Sequence, residues 1–218
     1  MPGLVRVTPV PHATAKRVIT AKHYSRNAGT VLRAYGIDVD GALHGVCTYG
    51  QPSPPNYKHA FKPRDFALYE LTRLVVESSC PNAASILISG SLRLLPQPCA
   101  VLSYADSAVG HAGIVYQATN WLYCGSTVSH DKLYLIDGVW RHPLFLKSRG
   151  ITDPSRWAKE NGVEMKKPEH KHRYVYLCGS RKDKKRMLAC LSWPVVTPYP
   201  KAERSCYDDG PPLTSVVP

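Results

Sequence analysis

No run of eighteen apolar residues occurs anywhere in this 218-residue chain, so no helix in it is expected to span a membrane. The N-terminus, MPGLVRVTPVPHATAKRV, lacks the apolar stretch of a secretory signal. Seven cysteines stand at positions 47, 80, 99, 124, 178, 190 and 206, with no CxxC among them. The missing CxxC argues against a zinc cluster, and the odd count against a disulfide scaffold. Reduced, packed thiols in a cytoplasm are the expectation. There is no internal repeat. Acid is also scarce, with 16 Asp and Glu against 28 Lys and Arg, for a net charge of +12.

The excess of base is uneven. Residues 141–204 hold 16 Lys and Arg against 6 Asp and Glu. Aromatic residues are interleaved there, namely Trp157, Tyr174, Tyr176, Trp193 and Tyr199. A basic, aromatic-studded half beside a balanced half fits a polyanionic partner, nucleic acid above all. Nine cations are the candidate DNA contacts: Lys166, Lys167, Lys171, Arg173, Arg181, Lys182, Lys184, Lys185 and Arg186. The alternative is a merely soluble basic surface.

The pattern along the chain is mixed α/β. Residues 12–26 read as a short helix that breaks at His23-Tyr24-Ser25. Two apolar runs over 31–50, joined by Asp40-Gly41, read as a hairpin. Four prolines in 51–65 read as an irregular loop. Residues 67–77 read as a strand, on which Glu70 and Arg73 would point to opposite faces if the strand is regular. Residues 83–95 read as a helix with apolar positions at 86, 87, 92, 94 and 95, ended by Pro96. Further on, KLYLIDGVWRHPLFL suggests a second hairpin at Asp137-Gly138, and DPSRWAKEN a capped helix. RYVYLCG suggests a strand and 187–204 an extended segment. The expected organisation is one domain over 1–204, with a basic C-terminal region 141–204 and a Pro-rich tail, 205–218, expected to be poorly ordered.

The chemistry is expected in Val101–Gly125, which reads as strand, loop, helix and strand. It places Asp106 at a strand's carboxyl end, where open α/β sheets bind ligands, with His111 on the loop and Tyr116 about ten residues on. Tyr116 could give a proton to a leaving group or be a core aromatic. The turn Cys80-Pro81-Asn82-Ala83-Ala84-Ser85 opens a helix whose free N–H groups would suit a phosphate, or is an ordinary turn. His23, Tyr24 and Asp106 offer N and O donors for a divalent iron, against the plainer reading of a solvated helix end. Arg73 lies mid-strand among apolar residues and needs a partner, either a carboxylate of the chain or an anionic substrate. Ser89 and Ser91 are polar positions on an apolar helix.

Together HYSR (23–26), ELTRLVV (70–76), SYAD…GHAGIVYQATNWLYCG (103–125) and HRYVY…PYPK (172–176, 198–201) resemble the phage Mom DNA-modification family. The resemblance implies a central mixed sheet flanked by helices, like that of the GCN5-related N-acetyltransferases, with a basic C-terminal extension. It implies conversion of adenine in double-stranded DNA to N6-carbamoylmethyladenine, which protects the DNA from restriction, in a bacterial host cytoplasm and without membrane attachment. It also implies iron, near His23, Tyr24 and Asp106, and an acyl-CoA or related donor bound at Asn82, Ala83, Ala84 and Ser85. Arg73, Ser91, Asp106, Tyr116 and Tyr49 fall at positions matching the family's catalytic set. The acetyltransferases' usual glycine-rich donor loop is replaced here by CPNAAS. An ordinary acyltransferase acting on a protein or small amine, and a non-catalytic DNA-binding protein, are the other readings.

Overall fold

Asp40 and Gly41 both take positive φ, 53° and 89°, which matches the twist of a tight antiparallel turn. They join β2 (Arg33–Val39) to β3 (Ala42–Gly50), the expected hairpin. The computed structural model describes residues 4–127 and 131–201. Ahead of the hairpin lie β1 (Val5–Pro9), which the sequence did not announce, and α1 (His12–Lys22). The helix stops one residue before His23, as read. The proline-rich stretch is not wholly irregular, because it contains α2 (Pro54–His59), started by prolines in its first turn.

Next come β4 (Ala67–Val76), α3 (Ala83–Leu94) and β5 (Cys99–Asp106). β4 and β5 pair in parallel, with α3 as the crossover. The buried face of α3 carries Ala83, Leu87, Ile88, Ser91 and Leu92, whereas Ile86 and Leu94 are exposed. Ile86 and Leu94 are thus apolar positions outside the buried face. Their side chains fall off the stripe that the helical period turns toward the sheet.

A short 3-10 turn (Ser107–Val109) leads to α4 (Ile114–Ala118) and β6 (Leu122–Ser126). The second hairpin pairs β7 (Leu133–Ile136) with β8 (Val139–Arg141) across Asp137-Gly138, again at positive φ. Then follow α5 (Pro143–Lys147) and α6 (Pro154–Glu160), the latter capped by Asp153 accepting from Arg156 N at 3.0 Å. β9 (Met165–Lys166) and β10 (Lys171–Cys178) complete the strands. The last element, α7 (Arg181–Cys190), replaces the start of the expected extended segment. A reciprocal cap between Ser180 and Asp183 starts it.

Seven strands form one mixed sheet in the order β1-β2-β3-β4-β5-β10-β6, and β8-β7-β9 form a second. This is the expected central mixed sheet flanked by helices. The described residues group into two compact units. The first comprises the chain up to Tyr104, Gly113–Gly125 and Arg173–Tyr199. The second comprises Ala105–Ala112, Ser126–His172 and the chain from Pro200. The basic region 141–204 is thus divided between them, and the tail 205–218 lies outside the described residues. No helix among the described residues is long and apolar enough to cross a membrane.

Candidate active site

In the first unit, β4 and β5 part company. Their ladder runs from Ala67 opposite Cys99 to Glu70 opposite Leu102 and ends there, although both strands continue. The cause is visible on the other edge of β4. Tyr49 faces Leu71 and Thr48 faces Arg73, so Thr72 is an extra residue in the strand. Such a bulge bends and twists the strand that carries it. It also shifts parity. Arg73 opposite Thr48 and Glu70 opposite Gly50 lie on one face, not on opposite faces as a regular strand would place them. Beyond the split, backbone groups of both strands are left without ladder partners, at the carboxyl end where open sheets bind ligands.

A side chain spans the split. Ser103 Oγ lies 3.2 Å from the Leu71 carbonyl and donates to Tyr116 Oη at 2.8 Å. The Tyr116 ring is wedged among aromatics, 5.1 Å from both Trp121 and Tyr174, centroid to centroid. Gln117 donates to Tyr174 Oη at 3.1 Å, and burial pushes the Tyr174 hydroxyl up to about 12. Gly113 makes this packing possible. A Cβ there would stand 2.5 Å from the Tyr174 ring, and the residue has a φ of +77°. Tyr116 was read from sequence. Its supports, Ser103, Gln117 and Tyr174, were missed, and only the polar serine inside the apolar β5 run hinted at one of them.

The HYSR loop is tied to β4. His23 Nδ1 accepts from Ser25 N at 3.1 Å and lies 2.9 Å from Ser25 Oγ, and its ring sits 4.3 Å from that of Tyr24. Arg73 Nε donates to the Asn27 carbonyl at 2.6 Å and Nη1 to the Thr72 carbonyl at 2.6 Å. The partner Arg73 needed is therefore loop backbone, not Glu70 or Asp106. Its role in the folded chain is to hold the segment that carries His23 and Tyr24.

Tyr49 and Ser91 meet at 2.7 Å, wholly buried between β3 and α3, and Ser91 also donates to the Ile88 carbonyl. Burial holds the Tyr49 hydroxyl well above its ordinary value and pushes the neighbouring Cys47 thiol up to about 12. The structure gives this pair a packing role. Ser89, the other candidate, is one residue outside the buried stripe of α3. At the start of α3, Asn82 has a φ of 58° and gives no side-chain cap. Ser85 Oγ donates to the Asn82 carbonyl. The N–H groups of Ala84 and Ser85 have no acceptor within the helix. Small side chains there leave room for an anion, so this turn fits the phosphates of a donor.

In the second unit, Asp106 closes β5. Its Oδ1 accepts from Ala108 N at 3.0 Å and its Oδ2 lies 3.2 Å from Lys171 Nζ. Nearby, Ser107 donates to the His170 carbonyl, and the His170 and His172 rings are 5.0 Å apart. Burial, and then His170, lower the affinity of His172 for a proton. Among the described residues no group of three His, Cys, Asp or Glu side chains could hold a metal ion. His23 already has one ring nitrogen committed to Ser25, and Tyr24 is 61% exposed. Iron at these donors is therefore unsupported among the described residues.

The nine candidate DNA contacts are not equivalent. Arg173 stacks on Trp193, Lys184 on Tyr176 and Lys166 on Trp140. Arg186 pairs with Asp65 and Asp183, and Lys171 with Asp106. Arg181, Lys182 and Lys185 are exposed on α7, and Lys167 is exposed just after β9.

The architecture is a mixed sheet split between two parallel strands, with helices on its faces. Similar solved structures include the NAA60 protein of Arabidopsis thaliana in complex with acetyl-CoA, at 13% identity and a TM-score of 0.47, covering 80% of this chain and 98% of that one. Another is an N-acetyltransferase from Staphylococcus aureus, at 12% identity and a TM-score of 0.44, covering 81% and 99%. The chain belongs to the Mom protein family, which it matches over residues 4–201. It is 30% identical over 213 residues to the methylcarbamoylase Mom of Escherichia phage Mu, covering 90% of this chain and 84% of that protein.

Proposed function

We propose that this protein is a DNA-modifying transferase that converts adenine to N6-carbamoylmethyladenine and so protects the DNA from restriction. The observation that carries the reading is the family match over residues 4–201, together with the 30% identity to a methylcarbamoylase. Adenine N6 is a poor nucleophile, because its lone pair is delocalised into the ring. It lies inside the duplex, so the base has to be extruded to react. In the reaction N6 bonds to the methylene carbon of the transferred group and loses a proton, while the bond from that carbon to the donor's leaving group breaks.

Tyr116 supplies a proton to the leaving group, and Ser103 orients the phenol by donating to its oxygen. The N–H groups of Ala84 and Ser85 would hold the anionic end of a CoA-related donor that carries the carbamoylmethyl group through its methylene carbon, since an acyl thioester would give an amide instead. Arg73 fixes the loop bearing His23 and Tyr24. Asp106 keeps its assignment from the resemblance, with Lys171 as its counterion.

The test is the nucleoside profile of DNA from cells expressing the chain. A deoxyadenosine heavier by one carbamoylmethyl group is expected. Unmodified DNA together with an acylated protein or amine would instead support an ordinary acyltransferase. Unmodified DNA with retained duplex binding would support a non-catalytic binder.

A further inference from the structure

Two guanidinium groups in the second unit share one aromatic ring. Arg149 Cζ lies 3.6 Å and Arg141 Cζ 4.6 Å from the centroid of Phe145. The two charges are therefore no more than about 8 Å apart, within one Debye length at physiological salt. The scaffold holding them is well defined. Arg141 leaves β8 opposite Tyr134, which is buried and hydrogen-bonded to Ser155. Phe145 packs on the cluster of Tyr134, Leu146 and Ala158. Gly150, at a φ of +85°, ends the turn after α5 and so sets where Arg149 sits.

What is missing is an acid. Neither guanidinium is ion-paired among the described residues, and Arg141 Nε is buried with no hydrogen-bond partner. Three carboxylates of this unit are engaged elsewhere, Asp131 with His142, Glu160 with Arg156 and Asp106 with Lys171. Two like charges held together repel, and the negative face of the Phe145 ring offsets only part of that. A buried guanidinium N–H without an acceptor adds a cost of its own. A phosphate oxygen would relieve the repulsion, since guanidinium forks match phosphate geometry.

We infer that Arg141, Phe145 and Arg149 form a clamp for the phosphodiester backbone of DNA. The clamp is separate from the basic helix α7 and rests on the reading of DNA as substrate. It holds the duplex in position and reads no bases, because phosphate contacts carry no sequence information.

The experiment titrates a short fluorescent duplex with the full chain and with Arg141→Gln/Arg149→Gln at two salt concentrations. Modified nucleoside in cells is measured in parallel. The double variant is expected to bind at least about tenfold more weakly at low salt, with a salt slope shallower by about two counterions. The single variant Arg149→Gln, at an exposed position, is expected to show half of that change and guards against misfolding of the double variant. Unchanged affinity and slope in both variants would overturn the clamp, as would a wild-type chain that binds no duplex. Lost binding in the variants with no modified nucleoside from the wild type would keep the clamp and reject the modification reading. Unchanged binding in the variants with modified nucleoside from the wild type would do the reverse.

Discussion

The first unit contains two hydroxyl pairs of nearly equal length that do different work. Tyr49 and Ser91 meet at 2.7 Å between β3 and α3, and Ser103 and Tyr116 at 2.8 Å beside the end of the β4–β5 ladder. Both pairs are buried. The first is closed, since Ser91 gives its proton to the Ile88 carbonyl and Tyr49 gives its own to Ser91. The second sits where the sheet has split, and Ser103 also reaches the Leu71 carbonyl across that gap. Chemical identity and burial do not separate the two. The neighbouring backbone does, because one pair pins a helix to a complete sheet and the other borders strands whose ladder has stopped.

Breaking the open pair should have the largest consequence. Tyr116→Phe removes a proton donor and keeps the ring that packs on Trp121 and Tyr174. The modification rate is expected to fall about 100-fold or more, with the melting temperature nearly unchanged. Rates come from timed nucleoside analysis with purified protein. A Tyr116→Phe enzyme that kept its rate would remove Tyr116 from the chemistry and make the two pairs alike.

The aromatic support of the open pair should respond next. At Gly113 an added methyl would meet the Tyr174 ring at 2.5 Å and the Tyr116 ring at 3.0 Å, at a positive φ. Gly113→Ala is expected to cost about 2 kcal/mol, or roughly 5 °C in melting temperature, and to slow modification as well. Loss of stability with the rate intact would show that the ring cluster is packing alone.

Much of this arrangement was written in local signals. Asp-Gly turns marked both hairpins, Cys80-Pro81 and Pro96 bounded α3, and the VLSYAD run located β5 and Asp106. Two kinds of feature were hidden. The bulge at Thr72 has no residue signature, yet it reverses the faces assigned to Glu70 and Arg73. Partnerships over distance were also invisible. Arg73 is satisfied by Asn27, 46 residues away, and nothing in either segment names the other. α7 escaped because it buries only Met187, so it lacks an apolar stripe, although Ser180-x-x-Asp183 was a legible cap. The proposed iron donors are a different case. That set was read from donor chemistry and then from the resemblance, and neither tests whether side chains converge.

Alkaline titration sharpens the comparison from the side of the closed pair. Tyr174 is raised from 10.0 to about 12, and Tyr49 is raised well above 10.0, both chiefly by burial. An acid whose pKa is raised in the folded state contributes stability that is fully present below its unfolded pKa. That contribution is lost as pH climbs from 10.0 through about 12. Tyrosinate absorbance and circular dichroism, followed together, should therefore show these buried phenols ionising with the unfolding transition. Smooth ionisation of every tyrosine near pH 10, with the fold intact, would contradict the burial described for Tyr49 and Tyr174.

The smallest effect is expected from the closed pair at neutral pH. Tyr49→Phe leaves Ser91 still donating to the Ile88 carbonyl, so no buried donor is orphaned. What is lost is one buried hydrogen bond, about 1 kcal/mol, or roughly 3 °C in melting temperature. The modification rate should stay within about twofold of wild type, because a change confined to stability leaves the barrier of the chemical step unaltered. Thermal melts and the same nucleoside assay on one preparation decide it. A drop in rate comparable to that of Tyr116→Phe, with stability unchanged, would move Tyr49 and Ser91 from the framework into the catalytic machinery. The family resemblance alone would have put them there. Their closed hydrogen bonding and complete burial are the reasons for expecting the opposite.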